Sequence, residues 1–208
     1  MPHSASHRPC PACGAADAAL AFTIDGYAYA RCPACGTLFV TPLPDLAEIA
    51  AVYLGPRYHD VAADEAPRMR AEAAARARVL RDHGVRALLE VGCGPGYFLD
   101  ACRDLGIAAE AVDRAPNAQA ARARGTHDHP PGIAAHGPPA ARCVAVALWE
   151  VLEHVPAPQD MLIQARAWLR PGGLVALSTP SASGLPARLL GRRFPMLTPP
   201  EHLEIFSR

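Results

Sequence analysis

The stretch from Leu88 to Gly96, LLEVGCGPG, holds the residues of this chain best suited to gripping a ligand. Glycines at 92, 94 and 96 let a backbone turn tightly and approach a bound group without side-chain interference. Asp113 stands 21 positions after Gly92, at the end of the next apolar run, where a carboxylate can accept hydrogen bonds from a ribose. Together these residues describe a nucleoside-bearing cofactor at the carboxyl end of a parallel sheet. The spacing narrows the choice. A dinucleotide fingerprint wants its third glycine three residues after the second, and that position is Tyr97. No Gly-Lys-Ser/Thr lies nearby, so a triphosphate is not predicted.

A second set of reactive groups lies near the N-terminus. Cys10-Pro-Ala-Cys13-Gly and Cys32-Pro-Ala-Cys35-Gly are near-identical knuckles separated by 18 residues. Four thiolates at this spacing can close a tetrahedral Zn2+ site. A redox pair in each C-x-x-C is the alternative, but no strand-helix unit surrounds either one. A site of four cysteines leaves no open position, so the zinc is expected to be structural. A module of about 40 residues is too small for a self-sufficient core, and metal binding, on the order of 10 kcal/mol, supplies the deficit. His127, His129 and His136, with Asp128, sit in a proline-rich stretch at 126–141 and read as a solvated loop.

Composition sets the bounds. At 208 residues and 22.0 kDa, half of them hydrophobic, the chain can hold one ordinary domain plus a small module. Formal charge is zero, and all 20 basic residues are arginine. That balance argues against nucleic acid as a partner, and Arg8 and Arg31 are the only formal positive charges of the cysteine module. No stretch approaches 18 consecutive apolar residues and MPHSASHRPC has no apolar core, which predicts a soluble, cytoplasmic protein without a membrane partner.

The elements that must position these groups follow from periodicity. LAFTI and YAYAR flank Asp25-Gly26, the strongest short hairpin signal, so the knuckles and hairpin read as a zinc ribbon. Asp45 can cap a short helix, and an alanine- and arginine-rich helix spans Pro67 to His83. From residue 87 onward strands and helices alternate, which implies a parallel sheet with right-handed crossovers. Strands are predicted at 87–91, 108–113, 143–149 and 174–179, with helices after the glycine loop, where Phe98, Cys102 and Leu105 share one face, at 117–124 and around Met161 to Leu169. Met161, Leu162, Ala165, Trp168 and Leu169 form an apolar stripe expected to be core.

With Glu90 ahead of the glycine loop and Asp113 after it, the chain resembles the class I S-adenosylmethionine-dependent methyltransferases. The segment Trp149-Glu-Val-Leu-Glu-His154 is similar to one in ubiquinone-pathway O-methylases and in sugar and polysaccharide methylases. Pro200-Glu201-His202-Leu203 with Phe206-Ser207 resembles a second family segment. The resemblance implies a Rossmann-like, doubly wound, mostly parallel sheet with strand order 3-2-1-4-5. Its family continues with a helix and an antiparallel strand pair beyond Ser207, so the class I fold is expected to be incomplete here. Strand five would then be an edge that a partner chain or a second copy could cover.

The same resemblance implies S-adenosylmethionine contacts from Glu90, Gly92, Cys93, Gly94, Gly96, Tyr97, Asp113, Arg114, Trp149 and Glu150. It also places Glu153, His154, Glu201 and His202 toward the acceptor. His154 is expected as general base and His202 as its alternative, since imidazole accepts a proton near neutral pH. Tyr58 and His59 are candidates for lining the cofactor pocket. The division expected is zinc ribbon at 1–41, helical connector at 42–84 and cofactor-binding domain at 85–208. The reaction implied is methyl transfer to a small-molecule, sugar or glycan-intermediate acceptor. The family's Phe-Asp at the start of its fourth strand is Cys143-Val144 here, so the adenine side differs from the family pattern. A degenerate cofactor-binding module acting as a partner protein is the competing expectation.

Overall fold

The computed structural model describes residues 8–54, 65–113 and 143–207. The helix expected at 117–124, the histidines of 126–141, the position of strand three, and Tyr58, His59 and Arg114 all lie outside the described residues. In chain order the elements begin with β1 (Ala19–Ile24), β2 (Tyr27–Arg31), β3 (Leu38–Val40), α1 (Leu46–Leu54) and α2 (Ala66–Asp82). Then come β4 (Ala87–Val91), α3 (Tyr97–Asp104), β5 (Ala108–Val112), β6 (Cys143–Trp149) and a 3-10 turn at Leu152–His154. The chain continues through α4 (Pro158–Trp168), β7 (Leu169–Ser178), α5 (Leu185–Leu190) and β8 (Glu204–Ile205). No helix among the described residues is long and apolar enough to cross a membrane.

The chain divides into two compact units. The first gathers residues up to 52 with 150–162 and everything from 178 onward; the second holds 53–149 and 163–177. The N-terminal module therefore shares its unit with the two segments that follow Trp149 and Leu177.

In the first unit the hairpin forms where the sequence predicts it. Asp25 and Gly26 both adopt positive φ, at 49° and 87°, the signature of a two-residue turn that matches strand twist. The sheet runs β1-β2-β3-β8, and β8 pairs antiparallel with β3 through Leu38 and Ile205. Alternation along the strands sends Tyr29, Leu38, Val40 and Ile205 into one cluster and Ala30 and Phe39 into another with Cys10 and Cys32. Asp45 does cap α1, its Oδ1 accepting from the Ala47 N–H at 2.9 Å.

The second unit is a sheet of order β5-β4-β6-β7, in which β4 pairs parallel with both β5 and β6. Helices α2 and α3 cover it with Ala73, Ala77, Leu80, Phe98, Ala101 and Cys102, packed on Leu88, Ala145 and Ala147. This is the Rossmann-like arrangement with the expected order 2-1-4-5. Two details differ from expectation. Strand β7 starts at Leu169, not Leu174, and takes Arg170-Pro171-Gly172-Gly173 into the strand. Of the predicted stripe on α4, Ala165 and Trp168 are buried but Leu162 is exposed, so the buried face is narrower. Leu174, Val175 and Leu177 of β7 are likewise exposed.

Candidate functional site

The glycine loop leaves the end of β4 in the second unit, and the parallel register explains how Asp113 meets it. Val91 lies opposite Val112, so the residues that follow each strand also emerge side by side. The Gly92 N–H donates to the Val112 carbonyl at 2.8 Å, which extends the ladder by one residue. The Gly94 N–H then donates to Asp113 Oδ2 at 2.7 Å, a charge-assisted bond that closes the loop onto β5. Gly92, Gly94 and Gly96 have φ of 77°, 46° and 79°, a region that side chains rarely tolerate. Gly96 is the N-cap of α3 and supplies no side-chain cap, so the first helical N–H groups face the loop side of the sheet's carboxyl end.

Glu90 is 2% exposed and its Oε2 has no hydrogen-bond partner. Burial and then the charge of Asp113 push its carboxyl well above the ordinary range, and Arg76 offsets part of this. A buried carboxyl with one unsatisfied oxygen beside a glycine loop fits a positively charged group of a ligand. Cys93 is buried against Leu99 and Ala111, and burial, Asp113 and Glu90 raise its thiol pKa. Tyr97 opens α3 and stacks under the Arg70 guanidinium at 4.2 Å. Trp149 ends β6, packs edge-on against Phe98 at 5.3 Å and lies under Arg76 at 5.0 Å. Its indole N–H is buried without a partner. Glu90, the three glycines, Cys93, Tyr97, Asp113 and Trp149 thus share one unit.

Glu150, His154 and His202 belong to the other unit. Glu150 has a φ of 53° and accepts from the Ser178 hydroxyl at 2.6 Å, while its N–H donates to the Ser178 carbonyl. His154 is bonded through Nδ1 to the Glu201 carbonyl at 2.9 Å, and His202 through Nδ1 to the Met196 carbonyl at 2.6 Å. The two rings meet edge to face at 4.6 Å. Burial and the neighbouring His202 lower His154 to about 4, so it is neutral across the physiological range and a weak base. Glu153 is fully buried, and neither of its oxygens makes a well-formed hydrogen bond. Burial raises it to about 8.

The four cysteines converge as their spacing predicts. Sγ of Cys10 lies 3.6 Å from that of Cys35, and Sγ of Cys13 3.6 Å from that of Cys32. Sulfurs bound to one Zn2+ at about 2.3 Å in a tetrahedron stand about 3.8 Å apart, so the donor set fits that ion. Sequence reasoning missed the role of Arg8. Its guanidinium donates to the Val40 and Pro156 carbonyls and to Glu204, the last at 2.6 Å, while its N–H donates to Thr41. Only the contact with a far-off strand reveals that role, and no local pattern signals it.

Residues 58–208 match a family model described as a methyltransferase domain. Among solved structures, a possible histamine N-methyltransferase from Thermotoga maritima is 15% identical with a TM-score of 0.54, over 78% of this chain and 70% of its own. An S-adenosylmethionine-dependent methyltransferase from Archaeoglobus fulgidus is 20% identical with a TM-score of 0.52, over 64% and 63%. A protein from Pyrococcus horikoshii is 21% identical at 0.50, over 67% and 66%. At these identities the likeness is one of fold. The chain spans between 47% and 70% of the length of such structures. No curated protein matches it significantly. The family match covers well over half of the chain, and the sheet and glycine loop agree with it: the chain belongs to the methyltransferase-domain family.

Proposed function

We propose that this protein binds S-adenosylmethionine at the glycine loop and transfers its methyl group to a small-molecule, sugar or glycan-intermediate acceptor. The observation that carries the reading is the closed loop: Gly94 tied to Asp113, with Glu90 buried beside it and one of its oxygens unsatisfied. In this reading the uncapped start of α3 receives the carboxylate of the methionine moiety, and Glu90 receives its ammonium group. Asp113 exchanges its bond to Gly94 for the ribose hydroxyls, or shares it with them. Trp149 and Tyr97 flank the site. The cofactor supplies an electrophilic methyl carbon, and the protein's contribution is to align the acceptor in line with the carbon–sulfur bond and exclude water. We assign His154 and His202 to the acceptor side. The surroundings of His154 suit a neutral lone-pair donor better than a general base.

Zn2+ at Cys10, Cys13, Cys32 and Cys35 is proposed as a structural ion of the first unit. Calorimetric titration of the purified chain with S-adenosylmethionine tests the reading. Binding of one equivalent is expected, and Asp113→Ala should lose it. Absence of binding by the unaltered protein would remove the cofactor assignment altogether.

A further inference from the structure

Glu153, His154 and His202 sit together in the first unit, and three independent features fit them to one task. The histidines share a tautomer. Each imidazole is bonded through Nδ1 to a backbone carbonyl, so Nδ1 carries the hydrogen and the lone pair is on Nε2. A ring fixed through one nitrogen, which leaves the lone pair on the other, is how metal-ligating histidines are held. The backbone of the cluster is also tied down: Tyr29 Oη donates to the His202 carbonyl at 2.9 Å, and the Leu203 N–H donates to the Glu153 carbonyl at 2.7 Å.

The carboxylate is the second feature. Glu153 is 0% exposed, yet both of its oxygens lack a well-formed hydrogen bond, as does the nearby Thr179 hydroxyl. Its polar neighbours there are Glu150, whose charge opposes a second carboxylate, and Thr179; a buried carboxyl so poorly satisfied is costly, and proteins retain one where something else satisfies it. The third feature is proximity. One candidate ligand atom from each of the three residues lies within 4.8 Å of the other two. Nitrogen and oxygen ligands at about 2.1 Å around one ion stand about 3.4 Å apart, so the cluster closes on an ion by a contraction of at most about 1.4 Å.

We propose that Glu153, His154 and His202 form a binding site for a divalent transition-metal ion, separate from the four-cysteine cluster. Two imidazoles and one carboxylate are a donor set suited to Zn2+ and its neighbours, not to Mg2+ or Ca2+, which prefer oxygen throughout. Three protein ligands leave a position for water or for an oxygen of a substrate, in contrast to the closed cysteine set. The site does not depend on methyl transfer. It stands or falls on metal binding alone.

The test uses the full chain with Zn2+ already bound at its cysteines, titrated with Co2+ while the visible spectrum is recorded. One further equivalent should bind and give only weak ligand-field absorption, without the strong thiolate charge-transfer band that cobalt at the cysteines would produce. His202→Ala should weaken that binding by more than the roughly 10–100-fold that loss of an outer partner costs, with one Zn2+ per chain retained. Glu153→Gln, which keeps the shape of the side chain, should weaken it as well. No uptake of cobalt beyond the cysteine cluster overturns the proposal without recourse to any variant. Uptake that both variants leave unchanged overturns it too.

Discussion

Glu90 shows how a single residue couples stability to ligand binding. Its carboxyl is buried, and its pKa is raised first by that burial and then by Asp113. The folded state therefore holds a proton that the unfolded chain has released above the ordinary carboxylate range. Where the folded protein binds more protons, stability falls as pH rises. Cofactor-free protein should accordingly lose melting temperature from about pH 4.5 upward, and Glu90→Gln should flatten this slope. The same variant should weaken S-adenosylmethionine binding, because a neutral amide offers an ammonium group a hydrogen bond but no opposite charge. Calorimetry in buffers of different ionisation enthalpy should show proton release on binding that Glu90→Gln abolishes; equal proton release in both proteins would contradict this role. Asp113 needs a finer probe, since it also holds the loop through Gly94. Asp113→Asn should speed hydrogen exchange at Gly94 even without ligand, whereas a residue that touched only the ribose would leave that exchange rate unaltered.

At the scale of elements, local pattern served well where local forces decide. Asp25-Gly26 identified its turn, the unbroken apolar run of 143–149 a buried strand, and the spacing of Phe98 and Cys102 the buried face of α3. It served poorly at β7. Pro171-Gly172-Gly173 reads as a turn, yet these residues continue the strand. The reason is a close approach. A Cβ on Gly173 would stand 2.9 Å from Leu169 Cδ2, 3.0 Å from the Arg170 carbonyl oxygen and 3.1 Å from that of Val144 on the neighbouring strand. The glycine admits a backbone contact there that no residue with a side chain could make. Gly172 differs: its φ is 76°, but the space beside it is open. Gly173→Ala should therefore cost about 1–3 kcal/mol. Gly172→Asn should cost less, because the space is open and asparagine is among the side chains that best tolerate the left-handed region. Both tryptophans, Trp149 and Trp168, lie in the second unit, so urea unfolding followed by their fluorescence reads this sheet directly. Equal midpoints for the two variants would refute the close-approach account.

The partition of the molecule was the feature least legible in the sequence. A linear reading sets the N-terminal module apart from everything after residue 41, because spacing and periodicity register only neighbours along the chain. The contacts that define the first unit span the chain: Leu38 with Ile205, Arg8 with Glu204, Val40 with Leu203. Strand β8 has just two residues, too short to stand out by alternation, and its two pairs with β3 make it the fourth strand of the sheet. If the cysteine knuckles hold Zn2+ and that ion stabilises the sheet, the C-terminal segment should share its fate. Removing the ion with a chelator should then raise hydrogen exchange not only around Cys10 and Cys32 but also at Val40, Ala182 and Leu203. Their N–H groups bond to the carbonyls of Leu203, Phe206 and Glu153. Exchange at Val146 and Leu148, in the second unit, should stay slow. Loss of protection confined to the knuckles would mean that residues 203–206 fold independently of the metal. Loss throughout β4 and β6 would mean that the two units unfold as one.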